Sequence, residues 1–287
     1  MIAAWAPAVL VLAGRFAWPG AMAVDGRALG DPDRPARPAA VVRFVERYGL
    51  PAAAAAVGPL LDDRDSGVRF VAARLLVRAG DAAAIATATR WITEPGRPAG
   101  DRAAGLEALA RAPAFTPPIR AAFEQAIRDR DPAIRVQALA ALGRQDAVPS
   151  LPAIIRALDD DARDVRLGAA VLIGGVARVD PAAAARAALP LLERLDDPDH
   201  AVRLAALRAL GSLHDPRTVP ALLRLAGDEP NVIGAAAADA LGSPAMAAAT
   251  ADLAALARAA PVDETARQAL LALGEIATPP AVAALID

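Results

Sequence analysis

The chain has no cysteine and no lysine, only two histidines and a single tyrosine, and aromatic residues make up 3% of it. Without cysteine there are no disulfides, no thiolate metal sites and no cysteine nucleophile. Two histidines are too few for most imidazole-based metal or acid–base centres, which need several convergent ligands or a supported general base. The 31 basic residues are all arginines and face 33 acids, a formal net charge of −2. Such a balance lacks the global positive field that dominates nucleic-acid affinity. Sustained apolar/polar alternation over β-branched and aromatic residues is also missing, so no sheet is expected.

What is abundant is alanine, which supplies most of a hydrophobic fraction of 55% over 287 residues. Alanine is the best helix former and the smallest core side chain, and both properties favour closely packed helices. The expectation is an all-α chain.

Residues 1–24 are a separate case. Met1 to Gly14 is almost wholly apolar, Arg15 interrupts, and Ala21-Met22-Ala23 has the small-x-small outline of a cleavage site. Against a signal peptide stand the absence of a basic residue before the apolar run and Pro7 within it. The run before Arg15 is shorter than the roughly 20 residues that cross a bilayer. An export signal or membrane-associated segment, a misassigned start and an apolar cap all remain open readings. Localisation stays open with them, as cytoplasmic, or exported or membrane-associated if residues 1–23 act as a signal. Residues 25–38, with Gly26, Gly30, Pro32, Pro35 and Pro38 among charges, read as a linker.

From residue 39 to 287 the chain repeats itself. Leu76, Leu109, Leu142, Ile173, Leu210, Leu241 and Leu273 recur at intervals of 33, 33, 31, 37, 31 and 32 residues. Three positions before them stand Ala73, Leu106, Leu139, Ala170, Leu207, Ala238 and Leu270, so one helical face carries two core contacts per repeat. Gly143, Gly174, Gly211, Gly242 and Gly274 follow their anchors directly and are expected to close the first helix in a left-handed conformation. A second helix then opens near proline, as at Pro149, Pro181 and Pro216. Ile155, Leu192 and Leu223 share one of its apolar positions; Leu61, Leu158 and Leu195 share another.

The joins carry an acid and an arginine at fixed offsets: Asp65 and Arg69, Asp131 and Arg135, Asp199 and Arg203, with Asp161 to Arg166 a longer variant. The acid suits a helix N-cap. One turn further in, the arginine is placed to reach an acid of a neighbouring repeat. Arg69, Arg135, Arg166 and Arg203 are therefore expected to form an inter-repeat ladder with Asp65, Asp131 and Asp199. Gly234 and Ala266 stand where the last two repeats would carry that arginine.

Asp-Pro-x-Ile/Val-Arg, an alanine–leucine face ending in Leu-Gly, and then Val-Pro-x-Leu resemble the short HEAT repeats of phycobilisome-lyase-type proteins. The resemblance spans roughly residues 40 to 287. It implies about seven to eight antiparallel helix pairs stacked as a right-handed α-α superhelix, a HEAT-like solenoid whose second helices line a concave surface. By analogy it also implies a non-enzymatic scaffold for a protein or peptide partner. The alternative is an enzyme on the same architecture, either a bilin lyase or a DNA alkylation-repair glycosylase.

The residues point to no catalytic, cofactor or metal site. His200 and His214 flank a helix and read as surface turn positions, and the acid pairs Asp62-Asp63, Asp159-Asp160-Asp161 and Asp196-Asp197 recur at every join, as solvated caps would. Trp91 falls in the apolar register of the second helix and is expected in the core. Gln125, Arg156, Glu193 and Arg224 share the next offset and are expected to form a polar stripe, the one candidate binding surface. Its mixed sign argues against a nucleic-acid backbone. The last segment, Ala281 to Ile286, begins a second helix and leaves Val282, Leu285 and Ile286 as an expected open apolar edge prone to self-association.

Overall fold

A computed structural model describes Gly26, Leu29 and residues 37–145, 147–228, 232–259 and 264–286. Among the described residues all regular structure is helical. The chain divides into two compact units, residues 1–126 and 127–287. The segment from residue 1 to 24 lies outside the described residues; among those described, no helix is long and apolar enough to cross a membrane.

Among its described residues the first unit holds three helix pairs: α1 (Arg37–Tyr48) with α2 (Leu50–Val57), α3 (Ser66–Arg78) with α4 (Ala82–Thr93), and α5 (Ala99–Leu109) with α6 (Pro117–Ala126). Helix α3 packs on α1, α4 and α5, and α4 on α5 and α6, so each pair meets its neighbours in the chain. Trp91 is buried in this core beside Ile92.

Five further pairs make the second unit. Its first helices are α7 (Pro132–Arg144), α9 (Arg163–Val179), α12 (His200–Leu213), α14 (Val232–Ala240) and α16 (Glu264–Ile276). They stack in chain order, α7 on α9, α9 on α12, α12 on α14 and α14 on α16. The second helices, all but α15 shorter than the first helix of their pair, are α8 (Leu151–Arg156), α10 (Pro181–Ala184) continued by α11 (Ala188–Glu193), α13 (Val219–Asp228), α15 (Thr250–Ala259) and α17 (Pro279–Ile286). Proline explains their brevity. Pro149 and Pro152 remove amide donors at the start of α8, and Pro190 has none to close a turn onto the segment before α11, where a 3-10 turn covers Ala185–Ala187. Each unit is thus a stack of antiparallel helix pairs, the HEAT-type solenoid class.

The anchor register holds throughout. Leu76, Leu109, Leu142, Ile173, Leu210, Leu241 and Leu273 are all buried, as are Leu61, Leu158 and Leu195 of the second helices. The paired position fails once: Leu270 is 45% exposed, because α16 turns Ala269, Leu273 and Ile276 inward and leaves Leu270 on its flank. Ile155, Leu192 and Leu223 are half-buried, and the residues just before them, Ile154, Leu191 and Leu222, hold the fully buried position. Val282 and Leu285 are exposed as expected, at 46% and 42%.

Within the stretch 25–38, expected to be a linker, Leu29 and Arg37 are buried, and the Arg37 guanidinium donates to the Leu29 carbonyl at 3.1 and 3.2 Å. Composition hid this because one leucine and one arginine do the packing in a proline-rich context. The glycines after the anchors do not close helices in a left-handed conformation. Gly143, Gly174, Gly211 and Gly274 lie within helices, and the positive-φ glycines among the described residues are Gly49, Gly80 and Gly96. At Gly174 and Gly211 the reason for glycine is close approach. A Cβ on Gly174 would stand 3.3 Å from the Ala209 Cα, and one on Gly211 would stand 3.0 Å from the Ala240 Cβ and 3.2 Å from its Cα. Glycine on one first helix thus receives alanine from the next. His214 and Ala277, both at positive φ, make the left-handed turns that end α12 and α16.

This contrast is measurable. Gly211→Ala should lower stability by about 1–3 kcal/mol, since its methyl meets backbone and Cβ atoms that cannot swing away. Gly274→Ala, whose Cβ would meet nothing within 4 Å, should raise it by about 0.5–1 kcal/mol through helix propensity. Thermal denaturation of the two variants should shift the midpoint in opposite directions. Leu210→Ala, at a fully buried anchor, should cost about 2–5 kcal/mol in the same assay.

Candidate functional site

Two sets of polar residues recur along the stack, one inside the joins and one on the outer face of the second helices. The join begins with its cap. Asp65 accepts from the Gly67 and Val68 amides, Asp131 from Ala133, and Asp199 from Ala201 and Val202, each supplying an acceptor to amides left free in a first turn. These acids cap helices; Asp199 also pairs with Arg163 of the preceding repeat at 2.8 Å, but the ladder arginines do not go to them. Arg37, Arg135 and Arg166 reach acids two residues upstream of a helix cap, Asp63, Asp160 and Asp197, each expected to be solvated, and Arg69 reaches Asp101 in the first turn of α5.

In the first unit Arg37 holds Asp63 with two hydrogen bonds of 2.5 and 3.0 Å, and Arg69 pairs with Asp101. In the second, Arg135 pairs with Asp160 at 2.6 Å and Asp161 at 2.5 Å, and Arg166 grips Asp197 with Nε at 2.7 Å and Nη2 at 3.0 Å. The same arginines also reach backward to their own join. Arg69 Nη1 donates to the Asp63 carbonyl at 2.7 Å, Arg135 Nη1 to the Asp129 carbonyl at 2.8 Å, and Arg166 Nη1 to the Asp160 carbonyl at 2.9 Å. Arg203 does likewise with the Asp197 carbonyl at 2.8 Å. Residues 229–231, where the following join would offer Arg203 an acid, lie outside the described residues.

The electrostatics follow the geometry. The hydrogen bond from Arg37 outweighs burial and holds the Asp63 carboxyl below its ordinary value of 3.8. Burial alone would push Asp197 up, but Arg166 and the Asp199 amide more than offset it and its pKa is also lowered. Arg135 and Arg166 are correspondingly raised by their carboxylates. The remaining acids of these runs, Asp62, Asp159 and Asp196, are exposed. Among the described residues, no group of three acids or histidines is placed to hold a metal ion. His200 and His214 are both exposed.

The second set is the polar stripe. Arg156, Glu193 and Arg224 are each the sixth residue of α8, α11 and α13, and all three are exposed. The fourth residues, Ile154, Leu191 and Leu222, point into the core, and the second residues, Pro152, Leu189 and Pro220, stand outward one turn from the charges. The 3-10 turns that flank the second helices are joined: Arg194 donates to the Leu158 carbonyl at 3.0 Å and Arg217 to the Ala185 carbonyl at 3.3 Å. Arg224 borders an open groove of about 460 Å³ that Pro220, Leu223, Asp252, Ala255 and Leu256 also line. Arg156 borders another of about 620 Å³ with Arg128, Ala153 and Asp159. Neither arginine has a partner among the described residues, whereas Gln125, in the first unit, spends its amide on the Thr93 carbonyl at 3.3 Å.

Residues 188–274 match the HEAT repeats family. That stretch is of HEAT-repeat type. The remainder shows the same fold in its likeness to solved structures. YibA of E. coli superimposes with a TM-score of 0.57 at 18% identity, over 91% of this chain and 98% of that one. An engineered protein gives 0.54 at 18%, over 93% and 77%. A chain of the structure of Kap95p with RanGDP gives 0.58 at 13%, over 89% of this chain and 41% of that one. No curated protein matches the chain in sequence. The matched stretch takes in the last half of the stripe and the cap at Asp199, so these HEAT repeats carry both polar sets.

The ladder predicts a difference between two arginines one helix apart. Arg135→Ala should cost about 3–5 kcal/mol, because it strands Asp160 and a carbonyl in a buried join. Arg156→Ala, at an exposed position, should stay within about 0.5 kcal/mol. Equal midpoints in urea would show that the ladder does not hold the repeats. A second prediction concerns acid. Asp63 and Asp197 have lowered folded-state values, so the unfolded chain binds more protons, and their stabilisation is complete above the ordinary carboxylate range. It is lost as pH falls through their folded values, below 3.8. Asp197→Asn should flatten the fall in stability between about pH 4 and pH 2 measured by urea unfolding.

Proposed function

We propose that the chain is a non-enzymatic scaffold that holds a protein or peptide partner along the outer face of its second helices. The observation that carries this is the regular outward presentation of Arg156, Glu193 and Arg224. Two of these have no partner among the described residues, and both stand beside open grooves. The buried arginines and acids, which might otherwise suggest chemistry, are committed to the joins. A surface of alternating sign suits a mixed-charge polypeptide better than a phosphate backbone. The Kap95p–RanGDP structure supplies an analogy, a protein of this fold in contact with a protein partner.

The test is affinity capture from the extract of the native cell with the intact chain, beside a variant carrying Arg156→Glu, Glu193→Arg and Arg224→Glu. A stoichiometric protein retained by the native chain is the expected result. Transfer of a bilin to an acceptor protein, or release of alkylated bases from DNA by the purified chain, would replace the scaffold reading with an enzymatic one.

A further inference from the structure

In the second unit a first helix is tied to the next repeat by two kinds of contact. Near its N-terminal end it sends an arginine to the join before the next first helix: Arg135 of α7 to Asp160, and Arg166 of α9 to Asp197. Near its C-terminal end it meets that helix by close backbone approach. A Cβ on Gly174 of α9 would stand 3.3 Å from the Ala209 Cα of α12, and one on Gly211 of α12 would stand 3.2 Å from the Ala240 Cα of α14. Arg166 and Gly174 are eight residues apart, about 12 Å along a helix axis. Two contacts at that separation fix the angle at which α9 crosses α12. Apolar burial is non-directional, so it holds the helices together without setting that angle.

Helix α14 keeps only one of the two. The ladder arginine stands seven residues before each anchor: Arg135 before Leu142, Arg166 before Ile173, Arg203 before Leu210. Seven before Leu241, the anchor of α14, stands Gly234, which has no side chain to send forward. The receiving acid is missing as well. Asp160 and Asp197 lie thirteen residues before Ile173 and Leu210, and thirteen before Leu273, the anchor of α16, the sequence has Ala260. The contact at the other end is retained: a Cβ on Gly242, just after α14, would stand 3.1 Å from the Ala272 Cα of α16.

We infer that the step from α14 to α16 is a pivot built into the stack. The pair α16 and α17 turns about the Gly242–Ala272 contact, while α7, α9 and α12, tied by Arg135 and Arg166, move as one body. The end of α16 that swings is its N-terminal end, where an arginine from α14 would have pinned it. Helix α17 packs on α15 as well as on α16, so the motion changes the angle between these two second helices. The surface they offer is thereby adjustable, and that of α8 and α11 is set.

Spin labels test this in the intact chain, which has no cysteine of its own to interfere. Ala140 of α7, Arg208 of α12 and Leu271 of α16 each lie two residues before an anchor, and all three are exposed. Cysteine pairs at 140 and 208, and at 208 and 271, sit two helices apart, about 16–20 Å. The first pair spans the steps tied by Arg135 and Arg166, and the second spans the step that begins at Gly234. Pulsed electron–electron double resonance should give a 208–271 distribution broader than the 140–208 one by about 1–2 Å, the size of helix shifts at packed interfaces. Arg166→Leu, checked for folding by its thermal transition, should broaden the 140–208 distribution by a similar amount. Gly234→Arg with Ala260→Asp, which supplies both halves of the missing rung, should narrow the 208–271 distribution. Equal widths for the two pairs in the otherwise native chain would overturn the inference on their own. So would a 140–208 distribution indifferent to the loss of Arg166, or a 208–271 distribution that the added rung leaves broad in a folded chain. Should the double substitution not fold, the two native widths and Arg166→Leu decide.

Discussion

The structure depends on one contact repeated at the joins: an arginine that touches its own repeat with one edge of the guanidinium and the next repeat with another. Arg135 shows the whole pattern, with Nη1 on the Asp129 carbonyl and Nη2 on Asp160 and Asp161. Because Arg135 is itself buried, neither end can be given up to water without leaving a polar group stranded. Each repeat hides its apolar side only by stacking on its neighbours, and the arginine fixes how they meet. An ammonium group could not do this. It is a point donor, and the two targets lie on opposite sides of a fork. The absence of lysine from the chain therefore has a physical counterpart at the joins, whatever else lies behind it.

Much of the fold was legible because it is written in period. Seven anchors at nearly constant spacing need no tertiary information to be recognised, and all seven are buried. The caps were legible for a similar reason, since Asp65, Asp131 and Asp199 act on amides two or three residues away. What was misread depends on contacts between repeats. The glycines after the anchors obey a local rule for helix ends, yet a neighbouring helix decides them, as Ala209 does for Gly174. The ladder acids Asp63, Asp160 and Asp197 looked like members of solvated runs. Nothing in a run of aspartates says which one turns inward; that is settled by where the previous repeat's arginine arrives. Leu29 and Arg37 were hidden by their proline-rich surroundings.

The candidate site was legible as a row and less so as a shape. The shared offset of Arg156, Glu193 and Arg224 predicted their common outward direction, because a helix that buries its fourth residue must expose its sixth and second. The grooves beside Arg156 and Arg224 depend on how short, proline-started second helices lie against one another, and no pattern in the sequence reports that. Gln125 marks the difference in the first unit, where the same offset serves a hydrogen bond to Thr93 and is not left open to solvent.

The two-handed arginine also bears on how a chain of this kind can change length. A join that carries the arginine supplies a donor for the unit that follows and an acceptor for the unit that precedes, as Asp160 and Arg166 do on either side of one cap. A repeat copied in tandem within the gene would arrive with both halves of the fastening and find their complements already waiting. Loss of half a repeat would instead leave one arginine and one aspartate facing nothing. Growth and shrinkage in whole units are thus permitted at the protein level, while fractional changes are selected against by the burial of a single mismatched charge.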